Sequence, residues 1–182
     1  MKVHATSIPE VLVVEPLVRE DPRGFFLETW RADRYAEAGI PTAFVQDNHS
    51  GSVQGVLRGL HYQVKHSQGK LVRVVRGSVF DVAVDLRRGS PTFGRWAGVE
   101  LSEQNHRQLW IPPGFAHGFY VTSPRADLVY KCTDYYAAEH ERTLLWSDPE
   151  VGIEWPIIEG CPPILSPKDV AGLPLRDAPA CS

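Results

Sequence analysis

The chain has almost no sulfur, no block of one charge and no apolar run long enough to cross a bilayer. Its 182 residues hold one methionine and three cysteines. Cys132, Cys161 and Cys181 form no CxxC pair and no even set, which argues against a zinc ribbon, a dithiol redox motif and a disulfide framework. Cys132 lies in a strand-like run and reads as a small core residue. The apolar run near the N-terminus, Val11–Val14, stops at Glu15 and is too short for a signal-peptide core. Nothing elsewhere approaches the roughly 20 apolar residues that span a membrane. These absences predict a cytoplasmic protein with reduced thiols and no membrane contact. With 19 basic residues against 22 acidic and a net charge of -3, there is no footprint for nucleic acid. Anionic small molecules stay open as ligands, because a pocket can be positive on a neutral surface. Helix-forming sequence is also scarce. The best candidate, "RADRYAEAG", is short and stops at Gly39.

What the chain does have is strands and turns. Val11–Val14 reads as an early strand closed by Glu15 and Pro16. A turn at Asp21–Gly24 leads into an aromatic strand through Phe25, Phe26 and Leu27. "AFVQDNHS" reads as a short strand running into polar residues. In "KLVRVVRGSVFDVAVDLRRGSPTFG", Phe80, Val82, Val84 and Leu86 share one parity and Asp81, Ala83 and Asp85 the other, which is the period of a strand. "RQLWIPPGFAHGFYVTS" is a strand interrupted by Pro112 and Pro113, and "ADLVYKCTDYY" closes the series. Near the end, Ser166 followed by Pro167 caps a short helical turn. Short strands, Gly/Pro turns and little helix predict an all-β sandwich or barrel. With 43% hydrophobic residues and no convincing linker, residues 1–182 are expected to form one domain, its last six or so residues loose.

The chemistry concentrates in "GLHYQVKHSQGKLVRVVRG". Pro112, Gly114 and His117 in "IPPGFAH" have the PxGxxH spacing of the second motif of cupins, small β-barrels that often hold a metal. The first cupin motif carries an HxH pair. Here it reads His61-Tyr62-Gln63, so Gln63 stands in place of an imidazole and a metal site is disfavoured. Arg58, His61, Lys70 and Arg73 cluster near the start of one strand, a density that is costly to bury without an anion or a partner. Each residue has a plainer reading. Lys70 fits a surface lysine at a strand start, and Arg23 and Arg58 fit exterior ion pairs. Tyr130 shares a face with Leu128 and Cys132 and fits a core.

Taken together, "RGFFLETW", "QDNHS", "VLRGLHYQ", the Gly69–Gly94 stretch, "LWIPPGFAHGF", "YKCTDYY", "WSDPEVGIEWP" and "LSPKD" closely resemble the dTDP-4-dehydrorhamnose 3,5-epimerase family, the RmlC-like cupins. The resemblance runs over nearly the whole chain. It implies a jelly-roll, or double-stranded β-helix, barrel with short peripheral helices. It also implies a homodimer that works without metal or cofactor on dTDP-4-keto-6-deoxy-D-glucose, inverting carbons 3 and 5 to give dTDP-4-keto-L-rhamnose. By the same resemblance His61 is the proton-abstracting base, Asp169 its carboxylate partner, Tyr130 the acid on the opposite sugar face and Lys70 the neighbour of the 4-keto oxygen. His117 belongs to the sugar pocket. Arg23 and Arg58 surround the diphosphate, and Phe26, Glu28, Gln46, Asp47 and Asn48 receive the nucleotide. Tyr136, Glu141 and Lys168 are further substrate contacts. Arg23, Phe26 and Glu28 are expected to serve the neighbouring subunit's site.

These residue types suit the reaction. Removing a proton beside a ketone puts charge on its oxygen, which Lys70 can stabilise as it develops. A neutral imidazole is a fitting base, and a phenol can return a proton from the other face, helped by a cation such as Lys70. Four rivals share parts of the pattern. A mono-epimerase on a related antibiotic sugar would keep the same catalytic set. A sugar-nucleotide 3,4-ketoisomerase needs the same enolate chemistry but fits "GLHYQ" with "YKCTDYY" less well. A non-catalytic sugar-nucleotide binder has no use for an acid and a base on opposite faces. A metal-dependent cupin is disfavoured by Gln63.

Overall fold

The computed structural model describes residues 1–181. The first half runs through β1 (Lys2–Ala5), β2 (Leu12–Glu15), β3 (Val18–Asp21), β4 (Gly24–Leu27), α1 (Ala32–Glu37), β5 (Gln46–Val53), β6 (Leu57–Gln63), β7 (Lys70–Arg76) and β8 (Ser78–Asp85). The second half adds β9 (Trp96–Ser102), β10 (Gln108–Ile111), β11 (Phe115–Val121), β12 (Arg125–Cys132), β13 (Glu141–Thr143) and α2 (Pro167–Val170). Six strands form one sheet in the order β1-β2-β10-β7-β12-β5, and five form a second in the order β13-β6-β11-β8-β9. Strands β3 and β4 make a separate hairpin. The two sheets face each other as the jelly roll of the cupin type, with only short helices at the periphery.

The interior between the sheets is apolar. Val72, Val74, Leu109, Ile111 and Leu128 from the larger sheet meet Val79, Ala83, Phe115 and Phe119 from the smaller. A second cluster lies on the outer face of the smaller sheet, where Val82, Val84, Leu86, Leu60 and Ala116 are covered by Leu144, Val151, Leu175 and Ala178. The alternation in β8 is thus a strand buried on both faces: Phe80, Val82 and Val84 lie under the C-terminal segment, while Val79 and Ala83 point inward. The C-terminal segment, expected to be loose over its last residues, makes contacts with this face as far as Cys181. Ala178 is buried, the Tyr62 hydroxyl donates to the Pro179 carbonyl at 3.0 Å, and Cys181 packs against the second cluster. The part of that expectation that falls on Ser182 lies outside the described residues.

Strand β5 departs from the sequence reading. It begins where the apolar letters of "AFVQDNHS" end, and its polar residues are the strand itself. Gln46, Asn48, Ser50 and Ser52 share the less exposed face, and Asp47, His49, Gly51 and Val53 the exposed one. Hydrophobic periodicity misses such a strand because its inner face borders a cleft and not the core.

Candidate active site

A cleft of about 380 Å³ opens between the sheets. Its walls come from different sheets. His61 on β6 and His117 and Phe119 on β11 line it from the smaller one; Lys70 on β7, Tyr130 on β12 and Gln46, Asn48 and Ser50 on β5 line it from the larger. Gly118 of β11, Arg58, Gln68, Tyr136, Glu141 and Lys168 complete the lining.

His61 sits opposite His117 in the β6–β11 register, and its Nε2 lies 2.6 Å from Asp169 Oδ1. The sequence "SPKD" explains how Asp169 gets there. Ser166 is the N-cap of α2, and its Oγ accepts from the Asp169 backbone N–H and donates to Oδ2 at 2.6 Å. Oδ2 also accepts from the Ser166 backbone N–H at 3.3 Å, closing a capping box. Oδ1 accepts from the Gly59 N–H at 3.2 Å. That N–H is available because the β6–β11 ladder slips here, pairing His117 with His61 and then Phe119 with Arg58. Gly59 has φ +129°, and a Cβ on it would lie 2.5 Å from the Gly118 Cα, so only glycine fits. The carboxylate is therefore held by both a helix cap and a strand bulge.

Burial pushes the Asp169 carboxyl up, but hydrogen bonds from His61 and Ser166 overcome this and hold it down at about 2. Burial pushes the His61 imidazolium down; the bond to Asp169 opposes that shift and the Lys168 charge adds to it. At neutral pH the pair is a carboxylate and a neutral imidazole. A carboxylate can only accept, so Nε2 carries the proton and Nδ1 keeps its lone pair. That is a base.

On the facing wall Lys70 is partly buried, opposite Cys132 in the β7–β12 register. Among the described residues no carboxylate pairs with its ammonium, and desolvation pushes its pKa below that of an ordinary lysine. The reading of Lys70 as a surface residue is thereby corrected. Tyr130 is partly buried, with its ring 6.4 Å from that of His117. Burial raises its pKa, and the cation that pulls it back is Arg58, where the sequence pointed to Lys70. Arg58 donates to Ser52 Oγ at 3.0 Å and has no carboxylate partner among the described residues, contrary to the exterior ion pair that its sequence fits. His117 contacts the buried Asp81, with Nε2 2.9 Å from Oδ1. At the rim Glu141 accepts from Lys168 Nζ at 2.8 Å and from the Tyr136 hydroxyl at 2.9 Å, and Gln46 Nε2 donates to Asn48 at 3.1 Å.

Four expected positions do not line this cleft. Asp47 points to the outer side of β5, where it pairs with Lys131 at 3.1 Å. Arg23, Phe26 and Glu28 belong to the β3–β4 hairpin and the residue after it. Arg23 pairs there with Asp21 at 2.6 Å while its side chain stays 90% exposed, and Phe26 is 71% exposed. Glu28 accepts from Arg34 at 3.1 Å. The cluster of four basic residues on one strand also dissolves. Arg58 and His61 are on β6, Lys70 and Arg73 on β7, and Arg73 lines a different cavity with Leu71 and Gln108. Sequence reasoning missed Ser50, Gln68 and Phe119 in the lining, Ser52 beneath Arg58, and Asp81 behind His117. For Asp81 a signal existed, a carboxylate inside a strand of apolar residues. For Ser50 and Ser52 the polarity of β5 concealed it.

The arrangement sets an acceptor lone pair on one wall of a cleft against a phenol and an unpaired ammonium on the other. A molecule lying between them can lose a proton to one side and gain one from the other, with a cation near the charge that appears in between.

The family model described as dTDP-4-dehydrorhamnose 3,5-epimerase matches residues 5–177. A relative of that name from Pseudomonas aeruginosa is 56% identical over 179 residues, covering 98% of this chain and 98% of the relative. Another from Shigella flexneri is 56% identical over 180 residues, with 98% of each chain covered. Among solved structures, dTDP-6-deoxy-D-glucose-3,5-epimerase RmlC from Legionella pneumophila, in complex with dTDP-4-keto-L-rhamnose, superimposes with a TM-score of 0.93 at 56% identity, over 96% of this chain and 93% of that one. With this identity spread along its whole length, the chain belongs to the dTDP-4-dehydrorhamnose 3,5-epimerase family.

Proposed function

We propose that the chain is a dTDP-4-dehydrorhamnose 3,5-epimerase, converting dTDP-4-keto-6-deoxy-D-glucose to dTDP-4-keto-L-rhamnose as a step of dTDP-rhamnose biosynthesis. The observation that carries the reading is the His61–Asp169 contact of 2.6 Å facing Tyr130 and Lys70 across one cleft. In this reading His61 Nδ1 takes the proton from carbon 3 or carbon 5, and the electron pair moves to the 4-keto oxygen. The lone pair argued for Nδ1 supports that role. Lys70 stabilises the enolate oxygen. Its ammonium is poorly solvated and unpaired before reaction, so it gains most when negative charge develops beside it. Tyr130 then gives its proton to the opposite face of the same carbon. The turnover leaves an imidazolium and a phenolate, which exchange protons with solvent and return to the resting state. Asp169, ionised throughout, keeps the tautomer and offsets the imidazolium charge.

For the rest of the substrate, Arg58 is the natural partner of the diphosphate, since its guanidinium lacks a carboxylate. Gln46, Asn48, His117, Tyr136, Glu141 and Lys168 serve as further contacts on the lining. The reading needs no metal or cofactor. It takes residues 1–182 as one cytoplasmic domain working as a homodimer. Arg23, Phe26, Glu28 and Asp47, which do not reach this cleft, are then assigned to the partner's site and to the nucleotide end. The 71% exposure of Phe26 supports an exchanged hairpin. Among the described residues no helix is long and apolar enough to cross a membrane.

The test is turnover of dTDP-4-keto-6-deoxy-D-glucose in heavy water after chelator treatment, with deuterium read at each carbon by NMR. Label at carbons 3 and 5 is the expected result. Label at one carbon alone would make the chain a mono-epimerase. A 3,4-keto shift would make it a ketoisomerase, and rescue by added metal would overturn the metal-free reading.

A further inference from the structure

We infer that Gln63, the residue standing where a metal-binding cupin has its second histidine, is a positioning residue that locks the two loops at the cleft mouth to each other and thereby sets Tyr136. The Gln63 side chain is 4% exposed. Its Nε2 donates to the His66 carbonyl at 2.7 Å and to the Tyr135 carbonyl at 3.3 Å, and its Oε1 accepts from the Ala137 N–H at 2.8 Å. Both residues that flank Tyr136 are thus fixed by one amide.

The two loops are 64–69, which leads from His61 into Lys70, and 133–137, which leads from Tyr130 to Tyr136 and on to Glu141. They are joined at four further points. The Thr133 N–H donates to the Gly69 carbonyl at 3.0 Å. Gln68 Nε2 donates to the Asp134 carbonyl at 2.9 Å, the Gly69 N–H donates to Thr133 Oγ1 at 2.8 Å, and His66 Nδ1 lies 3.3 Å from Asp134 Oδ2. His66 has a left-handed backbone at φ +55°, unusual for a non-glycine residue, and the carbonyl it turns inward is the one Gln63 captures. The Tyr136 N–H is itself held by Gln46 Oε1 at 2.9 Å.

Only an amide fits this position. The site asks for two donors and an acceptor from a single side chain. A carboxylate would turn the two donor contacts into repulsions, and an apolar side chain of equal length would leave these partly buried backbone groups on both loops without their partner. The polar wall at Tyr136 and Glu141 is then fixed before a ligand arrives, while the chemistry of His61, Tyr130 and Lys70 is left in place.

This inference rests on the function proposed above, so its test has readouts that do not depend on turnover. Gln63→Met is compared with wild type by affinity for dTDP, by steady-state kinetics on the 4-keto sugar nucleotide, and by amide hydrogen exchange. The expectation is a KM and a dTDP Kd each raised about tenfold, kcat within about threefold, and exchange at 133–137 and 64–69 about tenfold faster. Unchanged exchange, unchanged Kd, or a fall in kcat alone would overturn it. Should Gln63→Met fail to fold, Thr133→Val removes one acceptor from the same clasp. Its dTDP Kd is expected to rise about threefold with faster exchange at Gly69, and wild-type values for both would count against the clasp. A wild-type enzyme that binds dTDP but does not turn over the sugar nucleotide would refute the proposed function and leave the exchange and affinity tests of Gln63 standing.

Discussion

At the scale of single residues the site turns on who holds the proton. His61→Asn removes the base and keeps a side chain able to meet Asp169. Turnover and deuterium exchange are expected to fall about 10²–10⁴-fold with dTDP binding nearly unchanged, and retained exchange in the variant would exclude His61 as the base. The pH profile follows from the environment. Burial lowers the His61 pKa from 6.5, so the acid limb of kcat/KM should lie below 6.5. Burial raises the Tyr130 pKa above 10.0 and lowers that of Lys70 below 10.5, and the basic limb follows whichever of the two loses its proton first. An acid limb above 6.5 would contradict the assignment. Stability has its own signature. Asp169 falls from 3.8 to about 2 on folding, so its contribution, on the order of 2 kcal/mol, is complete above 3.8 and is lost as pH drops toward 2. The folded imidazole of His61 also resists protonation, which starts a weaker decline once pH falls below 6.5. Urea melts of wild type and Asp169→Asn across this range would separate the two. Of these residues His61 and His117 were legible from motif spacing. Asp81 stood out only as a carboxylate inside an apolar strand, and its contact with His117 was not legible, because strand parity tells which residues share a face but not what that face meets.

At the scale of elements, two local devices carry Asp169 to His61. Ser166→Ala removes the cap of α2 and the 2.6 Å bond to Asp169 Oδ2 together. It should cost about 1 kcal/mol and lower kcat, with Ser166→Thr restoring both; activity surviving in the alanine variant would mean the cap is structural only. Gly59→Ala drives a Cβ into the Gly118 backbone at 2.5 Å. A loss of about 2 kcal/mol or more is expected in chemical denaturation. The cap was readable in "SPKD" as a serine followed by a proline, and the acidic partner that closes it came from the structure. The bulge was not, since a glycine in "RGLHYQ" looks like any strand glycine until β11 is seen against it. The limits of β7, β8 and β10–β12 followed the alternation and the punctuation at Gly77, Pro112 and Pro113. Strand β5 could not, because the residues that make it a wall of the cleft also remove its hydrophobic signature.

At the scale of the whole molecule, the hairpin that bears Arg23 and Phe26 turns its residues away from the chain's own cleft. If it completes a neighbour's site, inactive His61→Asn and Arg23→Ala chains should complement each other. In a hybrid dimer one site carries both defects and the other carries neither. Mixing the two after unfolding and refolding should restore about a quarter of wild-type activity, and activity no greater than the sum of the parents would rule out the exchange. Family resemblance supplied this expectation, and no property of one chain's sequence could have done so, because the distance that matters lies between two molecules. The large sheet also ends on β5, the same polar strand that walls the cleft. An open sheet edge invites the backbone of any passing chain, and proteins blunt it with charge and weak β-formers. Here Asp47, Gly51 and the alternating amides and hydroxyls supply that protection as a by-product of lining a sugar-nucleotide cleft. Changes that make β5 more apolar, even ones that leave the chemistry intact, would therefore be felt first as aggregation.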